Sequence, residues 1–265
     1  MITTNLLETS EARRVSFYKG CFSVVEYTRD LSVEPEMAET AYFASQMDVR
    51  KRQITASITR DTGVIAQKGR MQIMLGDLKA ETDIQSVGNL VKKIVGSKVT
   101  GETAVKPHYT GEGTLVLEPT FRYILLEDLE DWDNNLMIED GMFLACEDSV
   151  EIHVSPRTNV SSAVLGREGL FNTNLTGNGV VALESPVPRS ELIEVTLDDD
   201  VVRIDGNMAI AWTADLKFTV ERTTSTIAGS MAAGEGLVNV YRGTGTVLIA
   251  PVQKNKGIPS PSNNK

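Results

Sequence analysis

Few side chains in this sequence have the types and spacing that metal binding or redox chemistry requires. The two histidines, His108 and His153, are too few for a three-histidine zinc site, and neither forms a close-spaced ligand motif with a cysteine or an acid. Cys21 and Cys146 each lie among apolar neighbours, as small core residues do, and two cysteines are too few for a disulfide framework. The sequence therefore predicts no metal site and no cofactor.

Carboxylates are more numerous, but their spacing favours no particular reaction. Glu112, Glu118 and Glu184 occupy related positions in a repeated segment, and two such groups in one cleft could act as general acid and base. No feature of the sequence brings two of them together. Acidic turns at residues 128–133 and 198–200 lack the alternating ligands and central glycine of a calcium loop, so we interpret them as solvated charge. We therefore predict that this chain is not an enzyme.

The densest basic cluster is Arg50-Lys51-Arg52, in which Arg50 and Arg52 share one face of a predicted strand. A nucleic-acid site would need such a cluster within a positive field. The formal net charge of the chain is −10 and its pI is near 4.8, which opposes that field. Charge therefore disfavours nucleic acid as a partner.

The elements that would position any site are best seen in a glycine-containing segment that occurs three times. Its first glycines stand at 111, 177 and 243, a spacing of 66 residues in both intervals. Each copy joins Gly-x-Gly to an alternating run of β-branched residues and leucine, then to a proline, which predicts strands with turns at the glycines. No lysine follows at the spacing of a phosphate-binding loop. The predicted structural turns contain Gly111, Gly113, Gly177, Gly179, Gly243 and Gly245.

A second repeated element precedes each copy. It places a glycine, at 69, 141 and 206, within two residues of a methionine that begins an apolar run. The interval from this glycine to the next repeated segment is longest in the first copy, which indicates an insertion near residues 84–96. Two elements that recur in the same order predict an internally repeated, strand-rich chain.

Two segments have helical character. Residues 34–44 place Pro35 at the first helical position and acids in the first turn, with Met37, Ala41 and Ala44 on one face. Residues 84–95 form an amphipathic pattern that has two interpretations, a crossover docked on its own sheet or a helix that faces a membrane surface or a partner. The residues of this candidate interaction helix are Ile84, Val87, Val91, Lys92, Lys93 and Ile94.

In their order and spacing, these segments resemble the family named for altered inheritance of mitochondria, number twenty-four of that series. The resemblance extends from about Gln53 to Val252, and the first ~45 residues look like an addition to it. It implies a mostly β fold, a duplicated β-sandwich of the tryptophan RNA-binding attenuator protein-like type with one or two short helices. It also implies assembly into a homotrimer, and it supplies no catalytic residues. The matching stretches are Gly69-Arg70-Met71, the Val91-Lys92-Lys93 segment running into Gly101-Glu102, Thr110 to Pro119, Gly166 to Ser185, Asp205 to Trp212 and Gly234 to Pro251.

From these patterns we predict an N-terminal strand and helix addition at 1–46, a first β half at 47–119, a second β half at 120–252 and a disordered tail at 253–265. The chain lacks a secretion signal and an apolar run of the ~20 residues that a membrane helix needs, so we expect a cytoplasmic location. The leading hypothesis is a non-enzymatic, homo-oligomeric β scaffold that acts through protein or membrane-surface contacts. The alternatives are a nucleic-acid or small-ligand binding module and an unrecognised enzyme.

Overall fold

A computed structural model describes residues 2–82, 106–156, 171–222 and 237–252. Strands dominate these residues, which confirms the predicted mostly β fold. The strands are β1 (Arg13–Lys19), β2 (Phe22–Tyr27), β3 (Arg52–Ile58), β4 (Val64–Ala66), β5 (Met71–Glu81), β6 (His108–Leu117), β7 (Tyr123–Asp128), β8 (Asn135–Ile138), β9 (Phe143–Glu147), β10 (Val150–Pro156), β11 (Phe171–Gly177), β12 (Val180–Ser185), β13 (Ile193–Asp205), β14 (Ala209–Thr213), β15 (Lys217–Arg222) and β16 (Leu237–Ile249).

The described residues contain one α-helix, α1 (Ala38–Gln46), which continues from a 3₁₀ turn at Pro35–Met37. This helix confirms the prediction for residues 34–44, and Pro35 stands at its predicted place in the first turn. Further 3₁₀ turns occur at Leu129–Trp132 and Arg189–Glu191. The predicted helix at 84–95 and the predicted disordered tail lie outside the described residues. No described helix is long and apolar enough to span a bilayer.

The described residues form two compact units. Unit 1 comprises those within Met1–Asn134, Phe143–Glu151 and Thr176–Ser185, and unit 2 comprises those within Asn135–Met142, Ile152–Leu175 and Pro186–Lys265. The predicted division at residue 119 differs from this one because the chain leaves unit 1 after Asn134 and returns to it twice. Strands β9 and β12 enter unit 1 through non-local pairing, which local sequence patterns do not encode.

The first sheet has nine strands, in the order β1-β2-β3-β6-β4-β9-β12-β7, with β5 attached to β6. Strands β3 and β4 each pair with part of one edge of β6, and β5 pairs along the whole of the other edge. The sheet is curled, as shown by the turn between β1 and β2, which contacts β9 and β12. There the Glu147 carboxylate accepts hydrogen bonds from the backbone N–H of Cys21 at 2.8 Å and of Val180 at 2.9 Å.

The core of unit 1 lies on the inner face of this curled sheet. Alternating apolar residues from β2, β3 and β6 fill it, as period-two patterning requires when one face of a strand is buried. Strand β12 is buried along its whole length because β9 and β7 flank it on both edges. The side chains that define this core include Phe22, Val24, Ile54, Leu115, Leu117, Ile124, Leu144 and Val180.

The second sheet has seven strands, in the order β10-β11-β8-β14-β16-β13, with β15 attached to β16. Unit 2 packs a separate core around Trp212, which is 1% exposed. The indole stacks on Phe218 and meets Tyr241 edge-on, with ring centroids 5.9 and 5.2 Å apart. Such aromatic contacts add to the free energy gained from burial alone.

The three copies of the glycine segment do not form equivalent turns. Gly177 and Gly179 flank the turn between β11 and β12, as predicted. The prediction is wrong for the other two copies, whose glycines lie inside strands. These glycines are Gly111 and Gly113 in β6, and Gly243 and Gly245 in β16.

A close approach of neighbouring backbones explains the glycines inside β6. Gly111 has φ +119°, and a Cβ atom there would collide with the backbone carbonyl of Asp77 in β5. A Cβ atom at Gly113 would collide in the same way with the carbonyl of Leu75. In β16 the equivalent glycines face a bulge of β13, where the register shifts between Leu197 and Asp200. Glycine therefore allows β6 to pair closely with β5, and both β6 and β16 continue as strands through these positions.

The second repeated element has the same backbone conformation in all three copies. Gly69, Gly141 and Gly206 have φ values of +77°, +70° and +61°. Each precedes a strand, namely β5, β9 or β14. The sequence repeat therefore corresponds to a repeated local structure.

Candidate interaction surface

The basic cluster singled out in the sequence is neutralised within unit 1. The Arg52 guanidinium is 2% exposed and lies 3.8 Å above the ring centroid of Tyr123. It donates to Glu26 Oε1 at 3.1 Å and to Asp48 Oδ2 at 2.7 Å. A buried cation with these partners contributes no field to a nucleic-acid surface.

The other two cations of this cluster also pair locally. Lys51 Nζ lies 2.9 Å from Asp30 Oδ1, and Arg50 Nη2 lies 2.7 Å from Asp48 Oδ1. The Tyr123 hydroxyl donates a further hydrogen bond to Asp48. Because Asp30 and Asp48 lie near the two ends of the segment 28–51, these contacts hold together the base of the connection between β2 and β3. We name this connection the α1 loop.

The residues considered for metal or redox chemistry have structural surroundings. His108 Nε2 lies 3.1 Å from Asp148 Oδ2, and no cluster of three or more metal-ligating side chains occurs in the parts of the chain that the structure describes. Cys146 is fully buried, and this burial raises the pKa of its thiol. Burial, and then the charge of Glu147, raises the pKa of Cys21. A raised pKa disfavours the nucleophilic thiolate at neutral pH.

The three carboxylates of the repeated segment have different surroundings. Glu112 forms an exposed ion pair with Arg60, with the two atoms 3.1 Å apart. Glu184 is buried and pairs with Arg70 at 2.8 Å. Glu118 meets the Gln72 amide at 3.5 Å, the limit of a hydrogen bond. Their shared position in the repeat therefore does not give them a shared chemistry.

Exposed apolar side chains, by contrast, are concentrated on the α1 loop. Helix α1 buries none of its residues. Tyr42 and Phe43 are 61% and 59% exposed, and their rings meet edge-on with centroids 5.4 Å apart. The large apolar residues exposed on this loop are Leu31, Met37, Tyr42, Phe43, Met47 and Val49.

Strand register places further exposed apolar residues at the same end of the first sheet. Arg52 at the start of β3 is paired with Glu26 near the end of β2 and bridges to Thr120 after β6. Met71 at the start of β5 is paired with Leu117 at the end of β6. The α1 loop, the residues after β6 and the start of β5 therefore lie at one end of unit 1, which we name the apolar end. Outside the α1 loop, its exposed apolar residues are Met71, Ile73, Met74 and Phe121.

Strand β5 gives the apolar end an open strand edge. It runs for eleven residues beside β6 and pairs with no other described strand. Only Leu78 is buried, so side chains on both faces of β5 meet solvent. Its first half is apolar, whereas Asp77, Lys79 and Glu81 make the second half charged. The first half of this edge lacks the protecting charges that block strand addition.

Sequence patterns identified the helix but not its exposed surface. The face formed by Met37, Ala41 and Ala44 is the helical stripe expected to pack, and the two alanines are indeed partly covered. The adjacent aromatic pair, Tyr42 and Phe43, lies off that stripe, and this offset was the available signal. The open edge of β5 had no comparable signal, because only strand pairing reveals which edge has no partner.

Comparison with known proteins places this fold among bacterial relatives. The model of the family described as mitochondrial biogenesis AIM24 matches residues 46–252. An uncharacterised protein of Streptococcus pyogenes serotype M6 is 28% identical over 193 residues, which are 70% of this chain and 75% of the relative. A crystal structure of a Streptococcus pyogenes protein superposes with a TM-score of 0.58 at 25% identity, covering 77% of this chain and 89% of the other.

Proposed function

Because this chain belongs to the mitochondrial biogenesis AIM24 family, we propose that it is a non-enzymatic, cytoplasmic scaffold that assembles as a homotrimer and acts through contacts with other macromolecules. The observation that carries the proposal is the open edge of β5 at the apolar end. No described strand pairs with this edge, whose backbone N–H and C=O groups lie beside exposed apolar side chains. A second copy of the chain can satisfy both through strand addition.

A ring of three copies requires the β5 edge to meet a different surface of the next copy, since head-to-tail contacts close into a ring. The apolar first half of β5 would supply most of the buried area. Met71, Ile73 and Met74 are each between 37% and 43% exposed, so they retain apolar surface to cover. The charged second half would restrict the register of pairing.

The substitution Ile73→Lys tests this assembly. Ile73 is 41% exposed, so lysine is tolerated in the folded monomer, but its charge would lie within the proposed contact. We expect light scattering at micromolar concentration to show a trimer for the parent chain and a monomer for the variant. Val252→Lys is a matched control, because Val252 is 48% exposed and lies in unit 2. A monomeric parent chain, or an unchanged trimer in Ile73→Lys, would contradict the proposal.

A further inference from the structure

We infer that the α1 loop is a docking element for a partner protein, and that it fits a groove with an apolar floor and a rim of lysine or arginine side chains. The inference rests on the scaffold role proposed above, but it does not depend on assembly through β5. It assigns a contact surface and a partner chemistry to residues 30–49.

The loop is held in place although its helix contributes nothing to the core. Isolated helices shorter than about 12 residues are marginal in water, and the nine residues of α1 bury no side chain. The contacts of Asp30 with Lys51, and of Asp48 with Arg50 and Arg52, instead fix both ends of the loop to the sheet. Asp48 also adopts a left-handed conformation with φ +61° directly after the C-cap of α1, where such a conformation ends a helix. The fold thus presents the exposed helix in a defined position.

The exposed side chains are those that dominate the energy of protein interfaces. Tyr42 and Phe43 form a preassembled aromatic pair, and Met47 beyond the helix is 77% exposed. Aromatic residues with few rotatable bonds lose little entropy when they enter a pocket. A groove with an apolar floor is therefore the receptor that would recover the most free energy from these residues.

The charge of the α1 loop determines which charges we expect on the rim of the partner's groove. Residues 30–49 contain five acids and no lysine, arginine or histidine, since the three cations of the α1 loop, Arg29, Arg50 and Lys51, lie at its two ends. The two acids at the base are paired, whereas Glu34, Glu36 and Glu39 form no ion pair with any residue that the structure describes. A second copy of the same loop would bring these acids against like charges, and an anionic lipid surface would repel them. A basic rim is the complementary surface.

Most of the α1 loop lies outside the residues that the family model matches. The residues matched by the family model begin at 46, and α1 ends at Gln46. Helix α1 therefore lies before the matched residues up to Gln46, whereas Met47, Val49 and β5 lie within them. The two surfaces can accordingly be tested separately.

Site-specific photo-crosslinking in the native host tests the inference. The photoreactive amino acid benzoylphenylalanine replaces Phe43 in the full chain, and in a matched control it replaces Tyr18, an 80% exposed aromatic on β1 outside the apolar end. We expect one discrete adduct with a different protein from position 43 and none from position 18. The crosslinked peptide of that partner should contain, or lie beside, lysine or arginine residues. The double variant Glu36→Lys, Glu39→Lys should reduce the yield about tenfold or more, because it places like charges opposite each other at the interface.

Three results would overturn the inference. The first is an adduct with the mass of two copies of this chain, which would make α1 a self-association surface. The second is binding of the purified protein to phosphatidylcholine vesicles, with or without phosphatidylserine, that is lost in Tyr42→Ser, Phe43→Ser. The third is no adduct at position 43 above the yield at position 18. Light scattering on the same variants measures whether the proposed trimer is still present. If a variant loses the adduct but remains a trimer, the effect arises from the α1 loop and not from assembly through β5.

Discussion

The base and the tip of the α1 loop use opposite kinds of side chain for opposite purposes. At the base, three cations pair with three carboxylates, and Glu26, Asp48 and Tyr123 surround the buried Arg52 guanidinium. The tip of the loop is residues 34–47. Its aromatic residues and methionines are exposed, and its three acids have no ion partner among the described residues. The charged cluster that looks functional in the sequence is therefore structural, and the apolar helix that looks structural is the exposed surface.

This difference teaches that residue type alone does not locate a site. A cation cluster marks a binding surface only when its charges remain uncompensated, and here every cation of the cluster has a carboxylate within 3.1 Å. Apolar residues mark a core only when something covers them. Substitutions at the base should therefore change stability, whereas substitutions at the tip should change association.

The largest effect on stability is expected at the base, from Arg52→Ala. The substitution removes the cation–π contact with Tyr123 and leaves Glu26 and Asp48 without their buried partner. Breaking a buried ion pair costs about 3 kcal/mol or more, and we expect a loss of that size in the free energy of unfolding measured with urea. Arg60→Ala is the control, because its pair with Glu112 is exposed and such pairs contribute less than about 1 kcal/mol. Equal losses of stability in the two variants would show that the buried ion pairs of Arg52 contribute no more than the exposed pair of Arg60.

A smaller, pH-dependent effect is expected from Asp30→Asn. Hydrogen bonds from Ser32, and then from Lys51, lower the pKa of Asp30 below its ordinary value of 3.8. A lowered pKa means that the folded state favours the carboxylate, so its contribution is present above pH 3.8 and is lost as the pH falls through the folded pKa. We expect Asp30→Asn to lower stability by up to about 1 kcal/mol at pH 7, since the pair is partly exposed.

Urea unfolding of both proteins between pH 7 and pH 3 measures this difference, which should shrink towards the acid end. Asp61→Asn serves as the control, because Asp61 is an exposed acid in the turn between β3 and β4. A difference that stays constant with pH would show that charge at Asp30 is not the cause.

The smallest effect on stability is expected at the tip, from the double variant Tyr42→Ser, Phe43→Ser. Both rings are exposed and touch mainly one another, so the free energy of unfolding should change by no more than about 0.5 kcal/mol. Crosslinking to the partner from a photoreactive residue at Met47 should nevertheless be lost. A loss of stability comparable to that of Arg52→Ala would show that the rings belong to the fold, and the contrast between base and tip would then disappear.

Much of the architecture is predictable from the sequence because its determinants are local. Period-two runs give the strands, Pro35 and its neighbouring acids give the start of the helix, and the three glycines at 69, 141 and 206 share a left-handed conformation. The family was also recognised from the order of these segments.

The rest depends on which strands are neighbours. A Gly-x-Gly within an alternating run gives a turn at Gly177 but a bent continuous strand at Gly111, and the difference arises from pairing of β6 with β5. The open edge of β5 and the neutralisation of Arg52 likewise arise from contacts between distant residues, including Thr120 and Tyr123. The predicted interaction helix, by contrast, lies in a segment that the structure does not describe, so its two interpretations stay predictions.

The discontinuous course of the chain through unit 1 also has a consequence for synthesis on the ribosome. Strand β12 lies between β9 and β7 and is buried along its length, yet its residues are translated only after residue 179. At 5–20 residues per second, translation from the end of β9 at Glu147 to the end of β12 at Ser185 takes roughly 2–8 s. During that time the nascent chain holds β7 and β9 without the strand that joins them. Chaperone demand should therefore peak while this stretch is being translated, and synonymous codons that slow elongation there should lower the yield of folded protein.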